Sequence, residues 1–152
     1  MSFIHPQAVV EGDVKVGKNV TLCAHSVLRG DHGTISVGDN SNVQDCCVIH
    51  DKTTVGEWVS IGHGAVLHGC TIGNRVIVGM NSTILNDVVV GDDVIIAAGA
   101  VVTPRTAIPT GSMVMGVPAK VVRKLTEKER KHIVENAKHY VDRALPKKVK
   151  LA

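Results

Sequence analysis

Aliphatic residues recur at every sixth position along most of the chain, and this period constrains the fold more than any other feature. Steps of six meet only Ile, Leu or Val in three successive runs: Ile4, Val10, Val16, Leu22 and Leu28; Val37, Val43, Ile49, Val55, Ile61 and Leu67; and Ile72, Val78, Ile84, Val90, Ile96, Val102, Ile108 and Val114. A helix repeats every 3.6 residues and a strand every two, so neither produces this period alone. A hexapeptide period indicates a solenoid of short strands joined by tight corners.

Glycine often follows the aliphatic residue of a hexad, as in VGKN, VGDN, IGHG and IGNR, and it supplies the backbone freedom that a corner requires. The pattern resembles the left-handed parallel β-helix of hexapeptide-repeat proteins, a three-sided prism with three hexads in each coil. Such a thin prism has room for one aliphatic side chain per face and level. This explains why a chain of 152 residues contains only one Trp, one Tyr and one Phe. We predict an all-β solenoid, with its left-handedness taken from the resemblance.

The hexad phase slips twice. Three extra residues lie between Leu28 and Val37, within RGDHGT, and one residue is missing between Leu67 and Ile72, at HGCT. In solenoids such slips correspond to loops or bulges, often on the binding side. Both slips flank the histidine-rich middle of the chain.

The hexad pattern ends after Val114, and a helical pattern follows it. Thr126 and Glu129 form a capping box. Apolar residues then recur at helical spacing before Pro146, namely Ile133, Val134, Ala137, Tyr140, Val141, Ala144 and Leu145. We predict a β-helix over residues 1–118 and, in the same domain, a C-terminal segment over 119–152 whose helix (about 127–145) packs on the prism.

Composition excludes several classes of function. The net charge of +3 comes partly from the tail segments RKLTEKERKH and PKKVK, which lack the interleaved aromatic residues of single-strand binders, so we expect no nucleic-acid partner. The sequence has no long apolar run and no leader pattern, so we expect no membrane association and a cytoplasmic location. The four cysteines form no CxxC pair, so we expect reduced thiols.

Two histidines share one register in this solenoid. His50 and His68 are eighteen residues apart and both are second in their hexads, which places them on the same face of successive coils. Adjacent strands lie about 4.8 Å apart, so both imidazoles can reach one ion. His63 is third in its hexad and belongs to a different face. A site with all three histidines therefore needs His63 from a neighbouring subunit, as in a homotrimer with closed cyclic symmetry.

An isolated histidine in a β-helix is more often a solvated surface residue than a ligand. The shared register of His50 and His68, with His63 nearby, favours a metal site instead. Three neutral imidazoles with an open fourth position are typical of catalytic Zn²⁺. Imidazole also suits iron, cobalt and nickel, so Fe²⁺ or Co²⁺ stays open as an alternative.

An ordered set of segments resembles the γ-class carbonic anhydrases and their relatives, including proteins labelled as ferripyochelin-binding. These segments are VLRGD, NVQDCCVIH, IGHGAVLHGC, IVGMNSTIL, VIIAAGAVVTP and VMGVPAKVVRKL, and they span nearly the whole chain. The resemblance implies a lyase that hydrates CO2 reversibly to bicarbonate. It also implies that His50 and His68 bind a metal from one subunit while His63 binds the metal of its neighbour.

The resemblance further implies roles for four residues near the metal. Gln44 hydrogen-bonds a metal-bound hydroxide, Asp31 orients it for attack on CO2, and Arg29 with Asp45 forms an ion pair between subunits. Both Gln44 and Asp45 could instead be plain corner residues.

The chain departs from the prototype of the family at two places. Only DKTTVGE separates His50 from Trp58, so the acidic loop that carries the prototype's proton-shuttle glutamate is absent. His32 stands where the prototype has another acidic residue, and its imidazole could relay protons there.

Three other functions stay open at this level. The same site could hydrolyse an acyl-CoA thioester, or the chain could be a CoA-dependent acyltransferase, since the segment IAAGAVVTPRTAIPTGSMVMGVPAK is shared with that branch. A non-catalytic binding protein whose metal clamps the trimer is the third alternative.

Overall fold

The computed structural model describes residues 1–143, which form a left-handed β-helix of about six coils followed by one helix. The predicted fold class is therefore confirmed. The strands and the helix are β1 (Phe3–Ile4), β2 (Val9–Val16), β3 (Thr21–Leu22), β4 (Val27–Val37), β5 (Asn42–Val43), β6 (Val48–His50), β7 (Thr53–Val55), β8 (Ser60–Ile61), β9 (Val66–His68), β10 (Thr71–Ile72), β11 (Val76–Val78), β12 (Thr83–Ile84), β13 (Val89–Val90), β14 (Val94–Ile96), β15 (Val101–Val102), β16 (Ala107–Ile108), β17 (Ser112–Gly116), β18 (Ala119–Lys124) and α1 (Glu127–Arg143).

The strands form three parallel stacks, one for each face of the prism. The helix face consists of β1, β3, β5, β8, β11, β14 and β17, in that order. The histidine face consists of the first part of β4 followed by β6, β9, β12 and β15, and the third face consists of the second part of β4 followed by β7, β10, β13 and β16. The long strands β2 and β4 run around the corner between these last two faces.

The hexad residues form the core. From Leu22 to Val114 each of them is at most 4% exposed, as the period predicts. Removing an Ile or Leu side chain of this kind from water stabilises the fold by about 1.5–3 kcal/mol. The first coil differs, because Ile4 and Val10 occupy core positions yet are 49% and 41% exposed.

The corners adopt the left-handed backbone conformation in regular columns. One column consists of Asn19, Asn40, Trp58, Arg75, Asp93 and Gly111, with φ between 53° and 77°. Residues other than glycine seldom adopt such angles. Each corner amide after the first donates to a carbonyl of the preceding coil, as Asn40 does to Lys18 at 2.9 Å. The corners thus extend the hydrogen-bond ladder around the prism.

The two phase slips have different structures. The three extra residues lie within the continuous strand β4, and the register shift falls between Gly12 and Val14 of its partner β2. A side chain at Gly12 would collide with the backbone of Gly30. At the second slip, Gly69 has a φ of 60°. Thr54 pairs there with Thr71, which is seventeen residues later in the sequence instead of the eighteen of a regular coil.

The capping box starts α1 as predicted. The Thr126 hydroxyl accepts a hydrogen bond from the Glu129 amide at 3.2 Å, and the Glu129 carboxylate accepts one from the Thr126 amide at 2.8 Å. The helix packs on the helix face, where Ile133 is buried with Met113 and Leu125. It ends at Arg143 in the described chain, so the predicted helical residues 144 and 145 lie outside the described residues. Strand β18, an antiparallel partner of β17, was not predicted from the sequence pattern.

Among the described residues no disulfide joins the cysteines. Burial raises the pKa of the Cys47 thiol to about 11 and that of Cys70 to about 12, so both are unreactive at neutral pH. Among the described residues no helix combines the length and the apolar character that a membrane span requires.

We expect a pH-dependent contribution of Glu129 to stability. Hydrogen bonds from Arg123 and from the Thr126 amide lower the pKa of Glu129 from 4.5 to about 2. The folded state therefore favours the carboxylate, and this stabilisation is complete above the unfolded pKa and is lost as the pH falls towards about 2. In denaturant titrations, Glu129→Gln should lower the free energy of unfolding at neutral pH, and its difference from the wild type should shrink between about pH 4.5 and about pH 2. Glu127→Gln is the control, because Glu127 is 85% exposed; an equal pH-dependent difference in both variants would contradict this account.

Candidate metal centre

His50 and His68 lie side by side on the histidine face, as the eighteen-residue spacing predicts. They pair directly in the register of β6 and β9. Nδ1 of His50 lies 3.1 Å from Nε2 of His68. Two nitrogens bound to one tetrahedral zinc ion at 2.0–2.1 Å would be about 3.4 Å apart. The pair therefore has nearly the separation that a shared ion requires.

Asp31 contacts Nε2 of His50, the ring nitrogen that faces away from His68. Its Oδ1 lies 2.8 Å from Nε2 of His50, and its Oδ2 lies 3.5 Å from Nε of Arg29. Partial desolvation raises the pKa of Asp31, but the hydrogen bond from His50 and the charge of Arg29 outweigh it, so the pKa is below its ordinary value. Asp31 is thus a carboxylate that can only accept, which assigns the proton of His50 to Nε2. Nη2 of Arg29 lies 3.0 Å from the same nitrogen; a hydrogen bond from it would require the opposite tautomer, and the shorter contact to Asp31, at 2.8 Å, favours the proton on Nε2.

Asn86 likewise contacts Nδ1 of His68, the ring nitrogen that faces away from His50. Its Oδ1 lies 3.1 Å from Nδ1 of His68, one coil further along. The carbonyl oxygen accepts the proton of Nδ1, which leaves Nε2 unprotonated. Nδ1 of His50 and Nε2 of His68, which face each other at 3.1 Å, then both carry a lone pair and no proton. Two such lone pairs repel unless a cation or an additional proton lies between them, so the donor set fits a metal ion.

His63 lies around the corner from this pair, next to the helix face. Its Nδ1 is 2.9 Å from Oδ2 of Asp45, and its side chain is 45% exposed. The carboxylate orients the ring with Nε2 free. Metal-binding histidines usually donate their second nitrogen to such an oxygen acceptor. All three predicted ligands therefore have the tautomer that a ligand needs.

A groove of about 300 Å³ lies beside His63, between α1 and the helix face. Gln44, Met80, Asn136 and Tyr140 contribute to its lining. Gln44 is only 5% exposed and donates from Nε2 to Oδ1 of Asn42 at 3.1 Å, which leaves its own Oε1 as an acceptor. The buried Oδ1 of Asn136 has no hydrogen-bond partner among the described residues.

The predicted site residues thus lie in two separate groups in one chain, which we name after the shared site that the sequence predicts. The paired half-site consists of Arg29, Asp31, His32, His50 and His68, and the groove half-site consists of Gln44, Asp45, His63, Asn136 and Tyr140. In residues 1–143, three or more candidate ligand atoms come within 4.8 Å of one another only at Asp31, His32 and His50. The predicted triplet of His50, His63 and His68 is not assembled within one chain. Arg29 and Asp45, expected to pair between subunits, have other partners within the chain.

The ring of His32 lies beside that of His50. The two ring centroids are 5.3 Å apart, and the residue is exposed on β4. This position suits the predicted relay of protons between the paired half-site and bulk solvent.

The sequence pattern predicted neither the contact of Asn86 with His68 nor the positions of Asn136 and Tyr140 beside the groove. Asn86 is eighteen residues beyond His68, so the same count that aligned the histidines could have found it. Asn136 and Tyr140 reach the groove only because α1 folds back along the helix face, and no periodicity in the solenoid indicates that contact.

Comparisons with known proteins agree with the hexapeptide-repeat fold. The family model "Bacterial transferase hexapeptide (six repeats)" matches residues 69–104. A probable carbonic anhydrase of Methanocaldococcus jannaschii is 51% identical over 138 residues, which cover 88% of this chain and 87% of that protein. The mitochondrial γ carbonic anhydrase 2 of Arabidopsis thaliana is 41% identical over 93% of this chain, which spans only 55% of its length.

A solved structure has the same fold. The crystal structure of a hexapeptide transferase family protein from Anaplasma phagocytophilum superposes with a TM-score of 0.87, at 35% identity, and covers 94% of this chain and 90% of its own. Its description as a transferase shows that the fold does not determine the reaction. The identity to the Methanocaldococcus protein along almost the full length of both chains decides the family. The chain belongs to the γ-class carbonic anhydrase-like family of hexapeptide-repeat proteins.

Proposed function

We propose that this protein is a metal-dependent carbonic anhydrase that hydrates CO2 reversibly at sites shared between subunits. The observation that carries the proposal is the pairing of His50 and His68 on adjacent strands, with Nδ1 of one and Nε2 of the other 3.1 Å apart. The paired half-site supplies two ligands, and His63 of a neighbouring subunit supplies the third. Each ligand then has its own oxygen acceptor, Asp31, Asn86 or Asp45, at the opposite ring nitrogen.

The histidine face supports an assembly in which subunits meet beside these ligands. An outward-facing column of mainly apolar side chains runs along it next to His50 and His68, and consists of Val27, Val48, Val66, Thr83 and Val101. Val48 is 37% exposed in the single chain. Three copies around a threefold axis would cover this column and bring each paired half-site against the groove half-site of its neighbour.

The site suits zinc, while Fe²⁺ and Co²⁺ also accept imidazole ligands. When bound, such an ion lowers the pKa of a coordinated water to about 7 and so makes a nucleophile available at neutral pH.

The residues of the chain would then position the reactants and move the proton. Oε1 of Gln44, on the groove half-site, would accept a hydrogen bond from the reacting water. Asp31 contacts Nε2 of His50, on the side of the ring away from the metal position, and so would orient this ligand instead of the water. The apolar wall around Met80 suits a small uncharged substrate such as CO2. His32 carries the released proton from the site to solvent, in place of the acidic loop that the sequence lacks. The cytoplasmic location stays a prediction.

An acyltransferase or thioesterase that uses CoA is the second candidate, and the likeness to a hexapeptide transferase favours it. Such an acyltransferase needs one histidine as a base and no metal. If the protein binds one metal ion per subunit and shows no CoA-dependent acyl transfer, the acyltransferase function is excluded. Assays with short acyl-CoA esters test the thioesterase function. A trimer that binds metal but converts neither CO2 nor acyl-CoA esters would support the third alternative, a non-catalytic binding protein whose metal clamps the trimer.

The shared site is tested by mixing chains that carry His50→Ala with chains that carry His63→Ala. Neither variant alone should bind catalytic metal or hydrate CO2. After unfolding and refolding together in equal amounts, random cyclic assembly should restore about a quarter of the sites, because each mixed trimer has one intact site. Metal content and stopped-flow CO2 hydration, measured on zinc- and iron-loaded protein, give the result.

Two controls complete this test. A mixture of His50→Ala with His68→Ala chains should restore nothing, because both residues belong to the same half-site. Verified mixed trimers of the first pair that bind no metal would contradict the shared site, and metal-loaded wild type with no hydration above the metal-free protein would contradict the activity.

Asn86 should support metal binding through the tautomer of His68. Asn86→Leu removes the acceptor of the Nδ1 proton and should weaken zinc binding about 10–100-fold. Asn86→Asp keeps an oxygen acceptor and is the matched control, with an affinity close to that of the wild type. Calorimetric titration measures the affinity, and ¹⁵N chemical shifts of His68 report its tautomer. Equal affinity and an unchanged tautomer in the Leu variant would exclude this role.

A further inference from the structure

Each histidine of the paired half-site lies directly before a corner of the prism. Asp51 follows His50 and has a φ of 61°, and Gly69 follows His68 and has a φ of 60°. Both corners therefore adopt the left-handed backbone conformation immediately after the ring-bearing residue. Because no residue separates ring and corner, a displacement of either corner also displaces the ring attached to it.

The hydroxyl of Thr53 joins these two corners. Its Oγ1 donates a hydrogen bond to the carbonyl of His50 at 2.9 Å and accepts one from the amide of Gly69 at 3.1 Å. The same amide also lies 3.1 Å from the His50 carbonyl, so two acceptors share its proton. The three atoms form a closed triangle, which fixes the backbone after His50 relative to the backbone after His68.

The second phase slip brings the Gly69 amide to this hydroxyl. The coil between Thr54 and Thr71 is one residue short, and the left-handed corner follows His68 directly. The edge between the histidine face and the third face carries one side chain per coil at the position of Thr53, namely Thr53, Cys70, Val88 and Thr106. Thr106 makes the same local bond, to the carbonyl three residues earlier, at 2.6 Å, but none to a neighbouring coil among the described residues.

Water has no access to this triangle. Thr53 is fully buried, and Cys70 beside it is 2% exposed. A buried backbone group that loses a partner here finds no replacement in solvent. A methyl group in place of the hydroxyl needs about 3.5 Å or more to non-bonded atoms, which exceeds the present distances of 2.9 Å and 3.1 Å. The His50 carbonyl and the Gly69 amide would then have to move.

We propose that Thr53 is a positioning residue of the paired half-site, whose hydroxyl sets the separation of the two facing ring nitrogens. Nδ1 of His50 and Nε2 of His68 are 3.1 Å apart, close to the separation of about 3.4 Å that two ligands of a tetrahedral zinc ion need. Ligands have to be held within about 0.5 Å of the productive geometry. The consequence for metal binding rests on the proposed function, whereas the control of the ring separation does not.

Crystal structures of the metal-free protein test the ring separation. In Thr53→Val the distance between the two nitrogens should change by about 0.5 Å or more. Thr53→Ser keeps the hydroxyl and should keep the wild-type distance. Thr106→Val is the matched control, because it removes the same local bond on the same edge of the prism and should leave both rings in place. Thr53→Ala removes the hydroxyl without crowding and replaces Thr53→Val if that variant does not fold.

Calorimetric titration with zinc tests the consequence for binding. Thr53→Val should weaken zinc binding about tenfold, while Thr53→Ser and Thr106→Val should bind like the wild type. Unmoved rings in Thr53→Val, or equal weakening by Thr53→Val and Thr106→Val, would overturn the proposal. If the rings move in Thr53→Val but the wild type binds no zinc, the proposed function fails while the control of the ring separation by Thr53 is supported.

Discussion

The hydrogen-bonded ladder between successive coils is the constraint on which the rest of this structure depends. Because every coil pairs with the next in parallel register, a residue and its counterpart about eighteen positions later lie one strand spacing apart on the same face. A core of single aliphatic side chains fixes that register, since a slip would expose them. Distances along the sequence thus become distances in space, with His50 beside His68 and Asn86 beyond them.

The same rigidity explains why one chain cannot close a three-histidine site. A coil that presents His68 on one face must present His63 around the corner, and no side-chain rotation reverses this. The chain instead carries two complementary half-sites, each with its ligands oriented by neighbouring oxygen atoms. Catalysis in this proposal depends on assembly, because only a neighbouring subunit can bring the halves together. The unfavourable contact between two lone pairs in the isolated chain would be relieved by the ion.

The sequence predicts the solenoid and the alignment of His50 with His68, because both depend on counting positions along a regular ladder. It also predicts the start of the helix, where Thr126 and Glu129 cap each other locally. It does not predict that Gln44 lies apart from Asp31, since the resemblance assigns both to one site without dividing the site between chains. The contacts of α1 and β18 could not be predicted, because packing between segments far apart in the chain leaves no periodic pattern in the sequence.

The most direct test of the shared metal centre is a crystal structure of the assembled, zinc-loaded protein with anomalous data at the zinc edge. The account predicts one peak per subunit at an interface, about 2.0–2.1 Å from nitrogens of His50 and His68 and from His63 of a neighbouring subunit. A peak held within one subunit by Asp31, His32 and His50, or no peak at either place, would contradict it.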